Sequence, residues 1–558
     1  MKYIKSIILG LMVWISVGCE TILDTTPKGL LTDEQLNTAE AVDGVVTAAY
    51  ASLKAHFQGL DPTFFQPPSN WSYGDVRSDD AYKGGGGPGD IIEYNQMETF
   101  NITPDIFVFE RKWRASYIAI GNVNSAIRAL QNISEAAYPN KEIRLAEMRV
   151  LRGHFYFDLK KNFYSFPFID ETHTFGDIGT VSNDLTSEQL WSLIEEDFAY
   201  GLDILPMVQS EVNRVNKFVA HAYLAKAYIF QGKWQQASDQ ASEVINSGIY
   251  SLVDDYEKLY SLPEWNNSPE DIFSIAFSVR DGSEAGVINW GDLLTSPMGP
   301  AYGGGDGFHR PTQNLVNAFK TDERGLPMFT TFNQSNLTHD DFVDPRLDHA
   351  IGRPGIPWKD FEGSVYIENW ARSSNVYGPY SKKKNIISPN SPYRATAGFP
   401  WALGALDFPL IKYTDVLLWK AEALIELGNT TDAMMYVNQI RERAANAPYV
   451  TQLGSNELAA NYRIGLYEIA DFVDPTFATQ AVRFERRLEL CLEGHRFYDL
   501  VRWSVADQVL NTFFVEERNI RPHLNAAQFT PNRNEYLPVP QSEIDRSQGV
   551  YTQNRFYR

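Results

Sequence analysis

Flat aromatic rings, carboxylates and an arginine alternate between positions 71 and 82. Aromatic rings can stack on the apolar C–H faces of a sugar, and carboxylate and guanidinium groups can hydrogen-bond its hydroxyls. The stretch therefore predicts a site for a polyhydroxylated ligand; the alternative is a structural turn cluster whose carboxylates bind loop amides. The glycines at 84–87 are not a phosphate-binding loop, because the Lys-Ser/Thr pair that should follow is absent. The candidate contact residues are Trp71, Tyr73, Asp75, Arg77, Asp79 and Asp80.

Two later stretches have the same mixture of residue types. In the first, positions 290–310, a run of three glycines separates aromatic from charged residues, and the candidates are Trp290, Tyr302, Asp306, His309 and Arg310. In the second, Trp358 and Tyr377 accompany the candidates Trp370 and Tyr380. His309 has no second histidine at a metal-ligand spacing, so no metal site is predicted there.

No arrangement of residues for catalysis is evident. Glu493 and Asp499 could be taken for the carboxylate pair of a glycosidase. However, they fall at helical spacings among several arginines, which favours ion pairs along one helix. The sequence contains neither a Gly-x-Ser-x-Gly nor a His-Glu-x-x-His motif. We therefore expect a binding protein and not an enzyme.

Composition narrows the class of ligand. The 558 residues are 44% hydrophobic and 13% aromatic, and carry a formal net charge of −21. Such an acidic chain would be repelled by phosphate, so nucleic-acid binding is not expected.

The chain has two cysteines, Cys19 and Cys491, which is too few for a disulfide framework. Cys491 is expected to be a buried, small apolar residue.

The first 18 residues have the features of a secretory signal peptide. Lys2 and Lys5 precede a mostly apolar run, which is too short to span a membrane. The small residues before Cys19 resemble a lipoprotein cleavage motif, although Ser16 occupies a position that is usually leucine. We expect cleavage before Cys19 and attachment of diacylglycerol to its thiol; the alternative is a plain signal with a chance cysteine. Residues 19–31 would be a tether, and Thr32 could cap the first helix.

Apolar periodicity predicts a mainly α protein. Two stretches match each other, Ala225–Ala237 and Ala421–Ala433, and each places a glycine (Gly232, Gly428) before a second amphipathic segment. This pattern is typical of tetratricopeptide-like helix pairs. The chain between about 250 and 407 is instead rich in Gly, Pro, Asn and aromatic residues, as functional loops often are. Helices are predicted at about 32–55, 106–132, 140–163, 186–204, 214–246, 408–444 and 480–503.

Four segments together resemble one family. They are Leu151–Pro167, Leu410–Ala444, the signature Arg483–Trp503 (RFERRLELCLEGHRFYDLVRW) and Tyr536–Tyr557. With the cysteine motif, the chain is similar to the SusD/RagB family of outer-membrane nutrient-binding lipoproteins. The resemblance departs at 547–550, where the family often has Asn-Pro.

The resemblance implies one SusD-like domain over 32–558: a helical scaffold at about 32–250 and 408–558, and ligand loops at about 250–407. It also implies a lipid anchor on the extracellular side of the outer membrane. The partner would be a SusC-type TonB-dependent transporter, which receives an oligosaccharide or, in some members, a peptide. Loops near 71–82 and before Arg310 would contact the ligand, with no catalytic residue and no cofactor. The alternative is a lipid-anchored helical-repeat protein that binds peptides or another protein.

Overall fold

The computed structural model describes residues 38–173, 178–260, 266–279, 282, 287–361 and 363–558. The predicted signal peptide, Cys19, the tether and the Thr32 cap lie outside these residues. The first described helix is capped by Thr38, whose hydroxyl accepts a hydrogen bond from the Ala41 N–H at 3.2 Å. Within the described ranges, no helix has both the length and the apolar character that crossing a membrane requires.

Long helices build the N-terminal half of the fold. Successive helices pack against each other from α3 through α7, and α1 packs on α3. Residues at the helix starts explain several boundaries: Thr186 and Gln189 form a capping box, and the Asn216 side chain accepts from the N–H groups of Phe218 and Val219. The helices are α1 Ala39–Ala51, α2 Ile92–Glu98, α3 Phe107–Asn132, α4 Lys141–Phe163, α5 Ser187–Ala199, α6 Lys217–Ile229 and α7 Trp234–Asn246.

The helices of the C-terminal half continue this array, since α11 packs on both α7 and α12. Short helices interrupt the middle of the chain. The middle helices are α8 Gln313–Ala318, α9 Arg346–Ala350 and α10 Ser374–Tyr377. The later helices are α11 Tyr413–Glu426, α12 Thr430–Asn446, α13 Pro475–Glu489, α14 Arg496–Arg502, α15 Ala506–Glu517 and α16 Gln541–Arg546.

Three small antiparallel sheets connect the irregular segments to the scaffold. β1 pairs with β3, which places Tyr82 opposite Arg310; β2 pairs with β6, and β4 with β5. The strands are β1 Ala81–Gly84, β2 Asp271–Ile275, β3 Phe308–Pro311, β4 Ile351–Gly352, β5 Ser381–Lys382 and β6 Phe408–Lys412. A π-helix spans Trp71–Asp75. Short 3-10 helices span Ser52–Lys54, Thr63–Phe65, Ile178–Thr180, Tyr256–Tyr260, Trp290–Thr295, Glu368–Trp370, Asp471–Val473 and Pro522–Leu524.

The matched stretches form the predicted helix pairs. Gly232 lies between α6 and α7 with φ of 68°, and Gly428 lies between α11 and α12 with φ of 85°. Glycine adopts such left-handed conformations without the steric cost that a Cβ adds. The mainly α fold with tetratricopeptide-like helix pairs is thus confirmed.

The signature segment is not one helix, as the sequence pattern predicts, but two. The chain breaks between α13 and α14, where Leu492 and Gly494 have φ of 61° and 80°. A Cβ on Gly494 would lie 2.1 Å from the Ser69 carbonyl oxygen, and one on Gly74 would lie 2.0 Å from the Gly494 oxygen. Backbone therefore packs directly on backbone, which joins the signature to the 71–75 segment.

The charged residues of the signature segment form ion pairs mainly with residues of other elements, rather than with each other along one helix. Glu485 and Glu489 both bind the Arg346 guanidinium, at 2.6 and 2.9 Å. Glu489 also binds Arg443 at 2.5 Å, and Glu493 binds Lys412 at 2.7 Å. Burial alone would raise the pKa of Glu489, but Arg443 and then Arg346 outweigh it and lower that pKa to about 2. The pattern of charges thus joins the helical scaffold to the irregular region.

Candidate ligand-binding site

The 71–82 segment lies in the interior of the protein, where it contacts several other segments. This corrects the prediction that its aromatic residues contact ligand. Trp71 is 1% exposed and Tyr73 is fully buried. The Trp71 indole donates to the Gly291 carbonyl at 3.1 Å, and the Tyr73 hydroxyl lies 2.9 Å from the carbonyl oxygens of Phe65 and Val108. Buried Trp and Tyr residues usually find such polar partners, so their bonds hold the core together.

The charged residues of the same segment are also buried, which corrects their predicted role as surface contacts. Asp75 accepts from the Gly494 N–H at 2.8 Å and lies 2.9 Å from His309 Nε2. The Arg77 guanidinium lies 4.0 Å from the centre of the Phe497 ring.

Asp79 and Asp80 bind the signature helices. Asp79 pairs with Arg496 at 2.9 Å, and Asp80 pairs with Arg487 at 2.7 Å. Buried charges require partners of this kind. The alternative of a structural cluster therefore fits this segment, with arginines rather than loop amides as the partners of Asp79 and Asp80.

Part of the 290–310 prediction is also corrected. His309 is fully buried, Arg310 is 1% exposed and Tyr302 is 3% exposed. The Arg310 guanidinium donates to the backbone carbonyls of Arg372, Gly378 and Tyr380, at 2.8 and 2.6 Å for the first two. Burial lowers the pKa of Arg310 to about 10.

The third aromatic group forms a small core. Trp358 is fully buried, Trp370 is 4% exposed, and both pack with Tyr302 and Tyr366. Of the predicted residues here, Tyr380 is half-buried, and its hydroxyl donates to Gln313 at 3.0 Å. Trp370 is therefore corrected to a supporting residue, because its ring has no free face for a ligand.

A different set of side chains forms an exposed aromatic surface. Phe399 is 76% exposed, and its ring centre lies 5.7 Å from that of the partly exposed Trp401. Trp290 is also partly exposed, and a Cβ on Gly398 would lie 3.9 Å from its ring. We call Trp290, Asp306, Arg372, Phe399 and Trp401 the aromatic surface.

Glycines bring the backbone close to this surface. A Cβ on Gly304 would lie 2.3 Å from the Trp401 ring, so only a residue without a side chain lets the ring lie against the loop. Trp290 rests on the small cluster that includes Ala395 and Leu403. The positions of the Trp401 and Trp290 rings are thus fixed by packing. The surface needs residues from two segments, 290–306 and 398–401.

Charged groups line one edge of the aromatic surface. The Arg372 guanidinium donates to the Asp306 carbonyl at 3.0 Å and lies 3.5 Å from the Asp90 carboxylate. The Trp401 side chain lies close enough to the Asp306 carboxylate to favour its charged form. Burial raises the pKa of Asp306, although Arg372 opposes this. The side chains of Arg372 and Asp306 are 34% and 32% exposed, so both retain room to bind a ligand's hydroxyls.

The sequence prediction therefore identified two of the five residues of this surface, Trp290 and Asp306. It missed Phe399, Trp401 and Arg372. The Gly-Phe-Pro-Trp run at 398–401 was one available signal, because proline and glycine beside aromatic residues indicate a turn that can expose them. The same signal precedes Trp358, in Gly355-Ile-Pro-Trp358, and that ring is buried, so the signal alone does not identify an exposed ring.

Metal binding finds no support in the part of the chain that the structure describes. No group of three or more His, Cys, Asp or Glu side chains there could hold a metal ion. The exposed surface instead combines aromatic rings with a guanidinium and carboxylates. This combination suits stacking on sugar rings and hydrogen bonding to hydroxyls.

Sequence comparison identifies relatives over nearly the whole chain. The SusD family matches residues 269–557, slightly more than half of the chain. The SusD-like protein P38 of Formosa agariphila is 25% identical, over 91% of this chain and 94% of that protein. A SusD-like protein of Bacteroides ovatus is 23% identical, over 93% and 86%.

Solved structures share the fold. A laminarin binding SusD-like protein superposes with a TM-score of 0.68 at 22% identity, over 93% of this chain and 100% of that one. Surface glycan-binding protein A from Bacteroides thetaiotaomicron, in complex with laminarihexaose, superposes with a TM-score of 0.67 at 20% identity. The match covers 93% of this chain and 99% of that one.

Proposed function

The chain belongs to the SusD family, and from this premise we propose that it is a glycan-binding protein of the cell surface. Its ligand is an oligosaccharide, which it delivers to a SusC-type TonB-dependent transporter. Lipid on Cys19 anchors it to the outer membrane, facing the extracellular side. Two structural relatives are described by their glycan ligands, laminarin and laminarihexaose, which supports the ligand class.

The observation that carries the proposal is the aromatic surface. Phe399 exposes 76% of its area, although large apolar side chains are normally buried. The neighbouring Trp401 and Trp290 rings are held by packing, and a ring that is already held loses little entropy when a sugar stacks on it. Arg372 and Asp306 supply directional bonds at the edge of the same surface.

The surface is suited to binding rather than to catalysis. A glycosidase needs two carboxylates that both face the scissile bond of the sugar, one as acid and one as base or nucleophile. Asp90 and Asp306 instead both lie beside Arg372, at 3.5 and 3.8 Å from its guanidinium. We therefore propose no enzymatic activity at this surface.

A glycan panel tests the proposal. The full chain, purified in mild detergent, is presented to immobilised neutral and acidic glycans that include laminarin, and to a peptide library. We expect binding to at least one glycan class, with micromolar to millimolar affinity because the surface is open, about −4 to −8 kcal/mol. Binding to peptides without binding to any glycan would contradict the proposal and favour the helical-repeat alternative.

A further inference from the structure

A second feature lies away from the aromatic surface, inside the helical scaffold. A cavity of about 70 Å³ is lined by α3, α4, α6, β6 and the segments 52–55, 66–70 and 493–495. Three lysines line it, Lys112, Lys161 and Lys226, together with Asp158 and His154. We call these five residues the lysine pocket. None of the residues of the aromatic surface borders it.

The positive charges of the lysine pocket exceed the negative charge that faces them. Asp158 binds two of the lysines, Lys112 at 2.6 Å and Lys161 at 3.0 Å. The Lys226 ammonium donates to the Leu410 carbonyl at 3.4 Å. Among the described residues, no carboxylate lies within ion-pair distance of Lys226.

The other acidic residue of the cavity wall does not supply the missing charge. Glu493 lies 2.5 Å from the Lys384 ammonium and 2.7 Å from that of Lys412. Burial lowers the pKa of His154 to about 3, so its ring is neutral near pH 7. Burial, and next the nearby Lys161, lower the pKa of Lys226 to about 8. The Asp415 and Asp158 carboxylates favour the charged form of Lys226 but do not offset its burial, so the ammonium is desolvated with no anion in contact, which is an unfavourable state.

Size restricts what can occupy the cavity. About 70 Å³ holds a few water molecules or one small ion, and is too small for a sugar ring with its substituents. The side chains of Asp158 and Lys161 are 13% and 14% exposed, so the cavity is not sealed.

We propose that the lysine pocket binds a small oxyanion, of the carboxylate, phosphate or sulfate type, through Lys226 and Lys161. The oxyanion accepts charge-assisted hydrogen bonds from both ammonium groups and balances the excess positive charge. The Lys226 ammonium lies over the faces of the Phe157 and Trp419 rings, whose centres are 5.6 and 5.8 Å from its nitrogen. These contacts hold the ammonium in place, and substitution of Lys226 by methionine should preserve the packing.

Selenate provides a direct test, because selenium can be located by anomalous diffraction. Crystals of the protein are soaked in selenate and compared with crystals of Lys226→Met. The matched control is Lys320→Met, which removes a buried lysine that donates to Ser335 in the irregular region. We expect a selenium peak in the lysine pocket of the wild type and of the control, and its loss in Lys226→Met.

Thermal shifts with sulfate, phosphate and acetate, each against chloride at equal ionic strength, distinguish the chemical types of oxyanion. We expect saturable stabilisation by at least one of them, with affinity about tenfold weaker in Lys226→Met, as the loss of one charge-assisted bond implies. A pocket that holds only water in the selenate-soaked wild type would overturn the proposal. An equally strong peak in Lys226→Met would overturn the role of Lys226.

Discussion

At the scale of single residues, exposure separates the side chains that can contact ligand from those that cannot. Phe399 is 76% exposed, whereas Trp71 is 1% exposed and bonded to the Gly291 carbonyl. Both are large aromatic residues within three positions of a glycine and a proline, so residue type and local sequence alone cannot distinguish them. The difference arises from long-range packing, since the Trp71 ring meets Tyr94 and Phe308 from distant segments.

Asp75 gives a residue-scale prediction about pH. Burial raises the pKa of Asp75 to about 7 in the folded protein, against about 3.9 in an unfolded chain. Between these values the folded state keeps a proton that the unfolded state releases, so this group lowers stability as pH rises from about 4 to 7. Between pH 4 and 7, the free energy of unfolding of Asp75→Asn should therefore fall by about a few kcal/mol less than that of the wild type, because the amide does not ionise. Chemical denaturation of both proteins across this range measures it, and parallel curves would show that Asp75 does not titrate as stated.

At the scale of elements, the helices were predictable and the loops were not. The predicted helices at 106–132 and 140–163 match Phe107–Asn132 and Lys141–Phe163, because helical periodicity is a local property. The break at 490–495 was missed, since it depends on Gly494 meeting the Ser69 carbonyl from far along the chain. The sequence predicts only two of the five residues of the aromatic surface for the same reason: contact between residues 290–306 and 398–401 is tertiary.

Close packing of α4 on α5 predicts a cost at Gly153. A Cβ there would lie 2.6 Å from the Phe198 ring, so Gly153→Ala should lower the free energy of unfolding by about 1–3 kcal/mol through overpacking. Gly121 in α3 is the matched control, because a Cβ there meets nothing within 4 Å. Gly121→Ala should raise stability by about 0.5–1 kcal/mol. Equal effects in urea denaturation would contradict the close contact between α4 and α5.

The glycine loop beneath Trp401 gives a prediction about ligand binding. A Cβ on Gly304 would lie 2.3 Å from the Trp401 ring, whereas one on Gly303 would meet nothing within 4 Å. Both glycines have positive φ, of 159° and 74°, so both alanine variants strain the loop. Gly304→Ala alone should displace the ring and weaken glycan binding several-fold. Calorimetry compares the glycan affinities of the two variants, and so separates the effect of the Trp401 ring position from that of loop strain. Equal affinities would mean that the position of the Trp401 ring does not affect binding.

At the scale of the whole molecule, packed helices carry the irregular segments on which the aromatic surface is exposed. Charged residues of the signature segment tie the two parts together, as in the Arg346–Glu485 pair at 2.6 Å. Binding surfaces on loops that a scaffold positions are a common arrangement. In the function proposed above, the lipid anchor holds this surface at the outer membrane, where it presents its ligand to the transporter.

The anchor itself is testable. If Cys19 carries lipid, Cys19→Ala should move the protein from the membrane fraction to the soluble fraction, because a diacylglycerol with an added acyl chain holds far more firmly than a single chain. The experiment is done in cells without the transporter partner, so that protein contacts cannot retain it. Continued recovery of the variant with the outer membrane would refute the lipid anchor.

The central claim, glycan binding at the aromatic surface, is tested most directly by calorimetry on Trp401→Ala with the glycan that the panel identifies. Loss of one stacked ring should cost about 1 kcal/mol or more, so affinity should fall about fivefold or more while the melting temperature stays unchanged. Trp71→Phe is the matched control: it should lower the melting temperature and leave affinity intact. Unchanged affinity in Trp401→Ala, with a fall in Trp71→Phe, would contradict the account and return the ligand site to the 71–82 segment.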